Sequence, residues 1–236
     1  MKSIYLPFFT LITLSILHLS PVVAQDTRLE FGCKIGLNLS SLSIDNRGIP
    51  DNRIKPGINL GFTGNYNFNK NLFLQTALTL STKGARIKGE APLGFPEWAL
   101  VAGNAEPVLK SNQIYLQIPL QIGYNVSLNS RTRIIFNAGP YLAYGIAGKT
   151  QLSADILYGD MIDNTPVEEK TFSNRGLQKF DYGLAAGIGI DLGEVILQLN
   201  YELGLKNIGP INPTYFPFYE NKYKNRNLSL SLAFKF

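Results

Sequence analysis

The chain has 236 residues, of which 45% are apolar and 17% are charged, and its formal net charge is +5. This length suits one sizeable domain or two small ones, and a modest charge without a basic block excludes a nucleic-acid partner. The single cysteine, Cys33, excludes an internal disulfide.

Residues 1–24 are predicted to be a secretory signal. Lys2 is followed by an apolar run and then by small residues up to Ala24, which is the order of a cleaved signal peptide. The alternative is an uncleaved membrane anchor, but the run is short for a membrane span and contains a proline. Cleavage after Ala24 leaves residues 25–236 as a single predicted domain with a net charge of +4 and no histidine.

Apolar alternation with a period of two residues recurs eight times in the rest of the chain and predicts eight β-strands. No apolar run after the signal is long enough for a membrane helix. The alternating segments are residues 29–39, 58–68, 72–82, 114–126, 134–146, 180–192, 195–205 and 228–236. Pro119 and Pro140 interrupt two of these segments and predict β-bulges at similar heights on adjacent strands.

Short and long connectors alternate between the predicted strands. The short connectors are residues 69–71, residues 127–132 and Gly193-Glu194, and the last of these fits a two-residue hairpin turn with glycine first. The long connectors are residues 41–56, 84–112, 147–178 and 206–226. An even number of strands with short turns at one end and long loops at the other is typical of a bacterial outer-membrane barrel.

The residues between the apolar ones decide which face of the strands points outward. A soluble barrel of the lipocalin type has its apolar face inside, and its outer face would be rich in lysine and glutamate. Here the interleaved residues are mostly small residues and amides, which suit the crowded lumen of a narrow barrel. The sequence therefore predicts an all-β fold, an eight-stranded antiparallel up-and-down transmembrane β-barrel with short periplasmic turns and long extracellular loops.

The predicted lumen face carries four acidic and four basic residues, which can pair. They are Glu30, Lys34, Arg133, Asp181, Asp191, Glu202, Lys206 and Lys235. A turn at residues 193–194 places Asp181 opposite Lys206. Arg133 and Asp191 fall near the short-turn end of adjacent strands, and Glu30 would meet Lys235 where the first strand closes on the eighth. We interpret these charges as compensation inside a packed lumen; the alternative is a proton or ion path.

With these features assembled, the sequence resembles the PorT-like outer-membrane β-barrel family of Bacteroidetes. The resembling stretches are CKIGLNLSSLS (33–43), PGINLGF (56–62), LQTALTLSTKG (74–84), YLQIPLQIGY (115–124), AGPYLAYG (138–145), FDYGLAAGIGIDLG (180–193), LNYELGLKNI (199–208) and KNRNLSLSLAFKF (224–236). The resemblance implies an outer-membrane location and a barrel fold without a catalytic motif. Some members of that family are associated with protein export across the outer membrane.

Three kinds of function are compatible with such a barrel. A lipid-modifying barrel enzyme would need a nucleophile and a base, and the chain after the signal contains neither a histidine nor a known catalytic motif. A narrow solute or ion pore is the second possibility, but eight strands give an interior that side chains just fill, and Tyr115 and Tyr141 on the lumen face narrow it further. We favour a structural or protein-interaction role at the cell surface, linked to protein secretion and without a cofactor or metal.

Aromatic residues in the long loops and at the C-terminus suggest the partners. The loop residues are Trp98, Tyr215, Phe216, Phe218 and Tyr219, and they are interpreted as anchors at the membrane interface or as contacts with a partner. The last residue, Phe236, resembles the C-terminal signal that the outer-membrane insertion machinery reads. The predicted partners are therefore the outer-membrane lipid bilayer, that machinery and an unidentified envelope or secretion protein.

Overall fold

β-strands account for most of the part of the chain that the computed structural model describes. The described residues are 28–44, 51–88, 100–101, 108–153, 156–158, 161–163, 166–173, 176–210 and 222–236. No helix among them is long and apolar enough to cross a membrane.

Eight long strands form a closed antiparallel ring. They are β1 (Leu29–Ile44), β2 (Lys55–Asn67), β3 (Leu72–Lys88), β4 (Val108–Ser127), β5 (Arg133–Ala147), β6 (Phe180–Asp191), β7 (Val195–Gly204) and β8 (Tyr223–Lys235). Each pairs with the next along the chain, and β8 pairs with β1. The predicted eight-stranded up-and-down barrel is confirmed.

Short strands lie within the long connectors. Asp51–Arg53 pairs with β3, Lys149–Ser153 pairs with β4, and Val167–Lys170 pairs with Lys149–Ser153. A second small sheet consists of Leu100–Val101, Ile156–Tyr158 and Met161–Asp163. The connectors therefore extend the sheet at the long-loop end of the ring.

The C-terminal strand is paired along its whole length. Every residue of β1 from Gly32 to Ile44 has a partner on β8. The backbone N–H of the terminal Phe236 donates to the Phe31 carbonyl over 3.0 Å. Pairing at this seam prevents the fraying that chain ends otherwise show.

The two faces of the strands have opposite chemistry. Outward side chains such as Leu37, Phe62 and Ile122 are more than 60% exposed, whereas inward ones such as Asn38 and Gln113 are at most 1% exposed. Soluble monomers rarely expose a contiguous apolar surface of this extent. The apolar face therefore meets lipid and the polar face lines the lumen, as predicted.

The short-turn end is organised by side chains that cap the hairpins. Asn69 Oδ1 accepts hydrogen bonds from the backbone N–H groups of Asn71 and Leu72 over 2.9 and 2.8 Å. Asn129 does the same in the β4–β5 turn. In the β6–β7 turn Gly193 has a φ of +103°, a conformation that suits glycine.

The prolines Pro119 and Pro140 do not produce the predicted β-bulges. Pro119 lies opposite Tyr141, and Ile122 lies opposite Ala138 in the same register, so no residue is inserted between them. The register between β4 and β5 shifts instead between Ile114 and Tyr115. A proline lacks a backbone N–H donor, but a strand can hold it without an inserted residue. The Thr76 hydroxyl donates to the Pro119 carbonyl over 2.9 Å.

Strands β3 and β4 are longer than the alternation predicted. The sequence placed a connector at residues 84–112, but β3 continues to Lys88 and β4 starts at Val108. In this extension the inward residues include the apolar Ile87 and Leu109 beside the polar Ser111, and the outward residues include the basic Arg86 and Lys110. The outward face thus changes from apolar to basic here, as expected where a sheet continues beyond the apolar band of a barrel.

Candidate functional site

Amide side chains fill the lumen toward the short-turn end. Asn137 Nδ2 donates to Gln75 Oε1 over 2.6 Å, and Gln198 Nε2 donates to the same oxygen over 3.4 Å. A Cβ at Gly187 would lie 2.1 Å from Asn200 Oδ1 and 2.6 Å from Asn137 Oδ1. A glycine at this position therefore makes room for the amide layer.

A buried ion pair crosses the lumen above the amide layer. Lys83 Nζ lies 2.7 Å from Glu202 Oε2, and Lys83 is only 2% exposed. Glu202 also accepts hydrogen bonds from Gln117 Nε2 over 2.7 Å and from Asn227 Nδ2 over 3.3 Å. Such additional hydrogen bonds are what a buried ion pair needs to offset the cost of removing both charges from water.

Two tyrosine rings surround the lysine of this pair. Lys83 Nζ lies 4.7 Å from the ring centroid of Tyr141 and 5.6 Å from that of Tyr115. The Tyr141 hydroxyl and Asn225 Nδ2 donate to Asp181 Oδ2 over 3.4 and 2.9 Å. Both rings are almost fully buried, and they narrow the lumen as the sequence predicted.

An apolar cluster, here called the seal, closes the lumen at the long-loop end. Its members are at most 1% exposed: Leu42, Ala85, Ile87, Leu109, Leu177, Ile208 and Tyr223. Leu177 and Ile208 belong to the long connectors, and the backbone holds them in place because Gln178 N donates to the Ile208 carbonyl over 2.8 Å. The long connectors therefore fold into the mouth of the barrel.

A second charged group lies at the opposite, short-turn end. Asp191 accepts from Arg133 Nη2 over 2.5 Å and from Lys235 Nζ over 3.0 Å, and Lys235 lies 4.0 Å from Glu30. The predicted pairs, Arg133 with Asp191 and Glu30 with Lys235, therefore lie close together. Asp191 links them because it contacts both Arg133 and Lys235. Glu30 and Arg133 also line a cavity of about 360 Å³ at this end.

The predicted pair of Asp181 and Lys206 does not form. The register between β6 and β7 is the predicted one, with Gly183 opposite Gly204. The backbone N–H groups of both Leu205 and Lys206 then donate to the Tyr182 carbonyl, over 2.9 and 3.3 Å. This extra residue moves the Lys206 side chain outward, where its Nζ lies 5.1 Å from the Phe180 ring centroid.

Sequence reasoning missed Lys83, the central cation of the lumen. It falls one residue beyond the third alternating segment, which predicts a strand over residues 72–82. The structure places it inside β3 and inside the barrel. Ala85 and Ile87 could have revealed it. These apolar residues follow Lys83 at alternate positions and continue the inward face of β3.

The remaining predicted residues lie in loops and at the C-terminus. The loop aromatics Trp98, Tyr215, Phe216, Phe218 and Tyr219 fall outside the described residues. The terminal Phe236 is 80% exposed and stands at the short-turn end of the apolar band. Among the described residues, no group of three or more His, Cys, Asp or Glu side chains could hold a metal ion.

A protein-family model described as an outer membrane protein beta-barrel domain matches residues 23–209, which is well over half of the chain. No curated protein matches the chain significantly.

Solved structures of bacterial outer-membrane proteins resemble the fold at low sequence identity. The attachment invasion locus protein Ail of Yersinia pestis is 15% identical, with 89% of this chain and 100% of that chain covered and a TM-score of 0.39. OprG from Pseudomonas aeruginosa is 15% identical, with 88% and 94% covered and a TM-score of 0.43. Neisserial surface protein A is 17% identical, with 87% and 97% covered and a TM-score of 0.35. These TM-scores are low, so the family model alone carries the family assignment.

Proposed function

Because the chain belongs to the outer membrane protein β-barrel domain family, we propose that it is a non-enzymatic, integral outer-membrane protein that acts through its cell-surface loops. The role is structural or one of protein interaction. The observation that carries this proposal is the closed lumen.

Three layers of side chains close the lumen, and each argues against a pore. The seal excludes water at the extracellular mouth because it is apolar. Below it, the pair of Lys83 and Glu202 lies beside two tyrosine rings, and amides fill the space below that pair. A solute would have to displace all three layers, which an eight-stranded barrel has little room to allow.

The sheet beyond the bilayer supports a role in protein interaction. The outer part of β3 and β4, together with the strands Lys149–Ser153 and Val167–Lys170, forms continuous paired backbone at the long-loop end. An ordered surface loses little conformational entropy when a partner binds. The protein therefore presents a preorganised surface to the outside of the cell.

The resemblance to PorT-like barrels supports a link to protein secretion. An enzymatic role has less support, because the only histidine, His18, lies in the predicted signal, and lipid hydrolysis of the serine–histidine type would lack its base. We also propose that the signal is cleaved after Ala24 and that residues 25–236 form a single domain.

The experiment is a gene deletion complemented by two forms of the protein. One form is the wild type, and in the other Tyr215, Phe216, Phe218 and Tyr219 are replaced by serine. We expect the deletion to change the set of secreted or surface proteins, and the wild type but not the serine form to restore it, with both forms present in the outer membrane. An unchanged secretome and surface would count against the role, and failure of the serine form to insert would make these aromatics membrane anchors.

Loss of the terminal aromatic residue is expected to impair assembly. Deleting Phe236 should lower the amount of folded protein in the outer membrane several-fold, whereas Phe236→Tyr should keep most of it because an aromatic C-terminus remains. The fraction that keeps its compact mobility on an unheated SDS gel measures folding. Equal folded yields from the deletion and from the wild type would show that Phe236 is not an assembly signal.

A further inference from the structure

The outer surface of the barrel is basic at the long-loop end. Cationic side chains stand on the outward face just beyond the apolar band, and within the described residues they include Arg86, Lys110, Lys179, Lys206, Lys224 and Arg226. At the seam of β7, β8 and β1 no carboxylate faces outward, because the two acids of these strands, Glu30 and Glu202, face the lumen. The seam is therefore a positively charged surface above an apolar one.

The cations near this seam differ in their contacts with the described residues. Lys179 and Lys206 lie over the rings of Tyr144 and Phe180, at 6.0 and 5.1 Å from the ring centroids. Lys224 and Arg226 are two residues apart on the outward face of β8. The ion pairs found among the described residues join other side chains. Two neighbouring cations such as Lys224 and Arg226 favour the binding of an anion that contacts both side chains.

A cavity of about 280 Å³ adjoins these two cations. Its lining includes Ser43, Leu203, Leu205, Lys222, Lys224 and Arg226. Lys224 lies opposite Ser43, and Arg226 lies between Ser41 and Leu203 on its two neighbouring strands. The cavity thus combines cations and a hydroxyl with leucine side chains. Its volume is near the lower end of the roughly 300–1,000 Å³ of small-molecule sites, so it suits a headgroup.

The height of the cavity matches the surface of the bilayer. Phe236 lies ten residue positions after Arg226 on the closing strand, which is about 33 Å along a strand. At a tilt of about 40° this spans about 25 Å along the membrane normal, the height of the apolar band of such barrels. With Phe236 at the periplasmic interface, Arg226 lies at the outer one.

The outward residues below Arg226 would accommodate acyl chains. Leu228, Leu230 and Leu232 follow it on β8, and all three are exposed. A molecule with an anionic head at the Lys224 and Arg226 pair and hydrocarbon along these leucines would satisfy both parts of the surface. We propose that this pocket binds the phosphate of an anionic glycolipid in the outer leaflet of the membrane.

The test is a lipid titration of the full chain in detergent micelles, followed by native mass spectrometry. The probes are diphosphorylated lipid A, the same lipid without phosphates, and inorganic phosphate as a competitor. The variant is Lys224→Gln with Arg226→Gln. The matched control is Lys70→Gln with Arg131→Gln, which removes two exposed cations from the short turns. An unshifted far-UV spectrum and gel mobility confirm that both variants fold.

We expect the wild type and the control to prefer the phosphorylated lipid at least tenfold. The Lys224→Gln/Arg226→Gln variant should lose about 25-fold in affinity for it, since each cation near an anionic surface contributes roughly a factor of five. Equal binding by variant and control would overturn the proposal. So would equal binding of the dephosphorylated lipid, and complete competition by inorganic phosphate would show a site for a soluble anion instead.

Discussion

Replacing Lys83 by methionine is expected to lower the free energy of unfolding by about 3–5 kcal/mol, the range for removing one member of a buried ion pair. Lys83 Nζ is the cation that lies 2.7 Å from Glu202, and methionine fills a similar volume without charge. The buried carboxylate would keep its two amide donors but lose its counter-charge. A urea titration of the protein in lipid vesicles, followed by far-UV circular dichroism, measures the change.

Two further variants identify the cause of that loss. Lys110→Met removes an exposed, outward lysine from the adjacent strand and should change the stability by less than about 0.5 kcal/mol. Combining Lys83→Met with Glu202→Gln should recover much of the loss, because no buried charge is then left unpaired. A Lys83→Met protein as stable as the wild type would contradict the ion pair.

Replacing Gly139 by alanine is expected to lower the free energy of unfolding by about 1–3 kcal/mol, the usual cost of overpacking. A Cβ at Gly139 would lie 2.1 Å from the Leu120 carbonyl oxygen and 2.8 Å from Gln121 Cα. Both are backbone atoms of β4, so the strand itself would have to move. The same titration measures the effect.

Gly64→Ala is the matched control for this substitution. A Cβ at Gly64 would meet only ring carbons of Phe31, at 3.7 Å, and a Thr76 methyl at 3.9 Å, which are ordinary van der Waals distances. Its stability should stay within about 0.5 kcal/mol of the wild type. If the two alanine variants unfold at the same urea concentration, β4 and β5 do not pack as closely as the structure shows.

The strands within the bilayer could be predicted from the sequence because lipid and lumen impose opposite chemistry on alternate residues. Leu37 and Asn38, neighbours on β1, show this: one is 64% exposed and the other 1%. The same rule predicted that Arg133 and Asp191 would meet, since both stand on the lumen face near a short turn.

The rule fails where the bilayer ends. Beyond Lys83 the inward residues of β3 are the apolar Ala85 and Ile87 and the outward Arg86 is basic, so the alternation breaks and Lys83 falls outside the predicted strand at residues 72–82. Lys206 was misplaced for another reason: a single extra residue at the end of β7 turns its side chain outward. One-residue irregularities of this kind depend on backbone hydrogen bonds that a hydrophobic pattern does not encode.

The seal was also beyond the reach of the sequence. Its members come from six separate stretches, and Leu177 and Ile208 lie in the long connectors. No local periodicity marks either of them as buried. Only the closure of the ring brings them next to Leu42 and Tyr223.

The closed lumen is tested most directly by planar-bilayer recordings of the purified full-length protein. With the seal, the tyrosine rings and the amide layer in place, the account predicts a baseline without large, steady conductance steps. A porin inserted under the same conditions serves as the positive control, and gel mobility confirms that the inserted protein is folded. Large, steady steps from the folded protein would contradict the closed lumen and favour a pore.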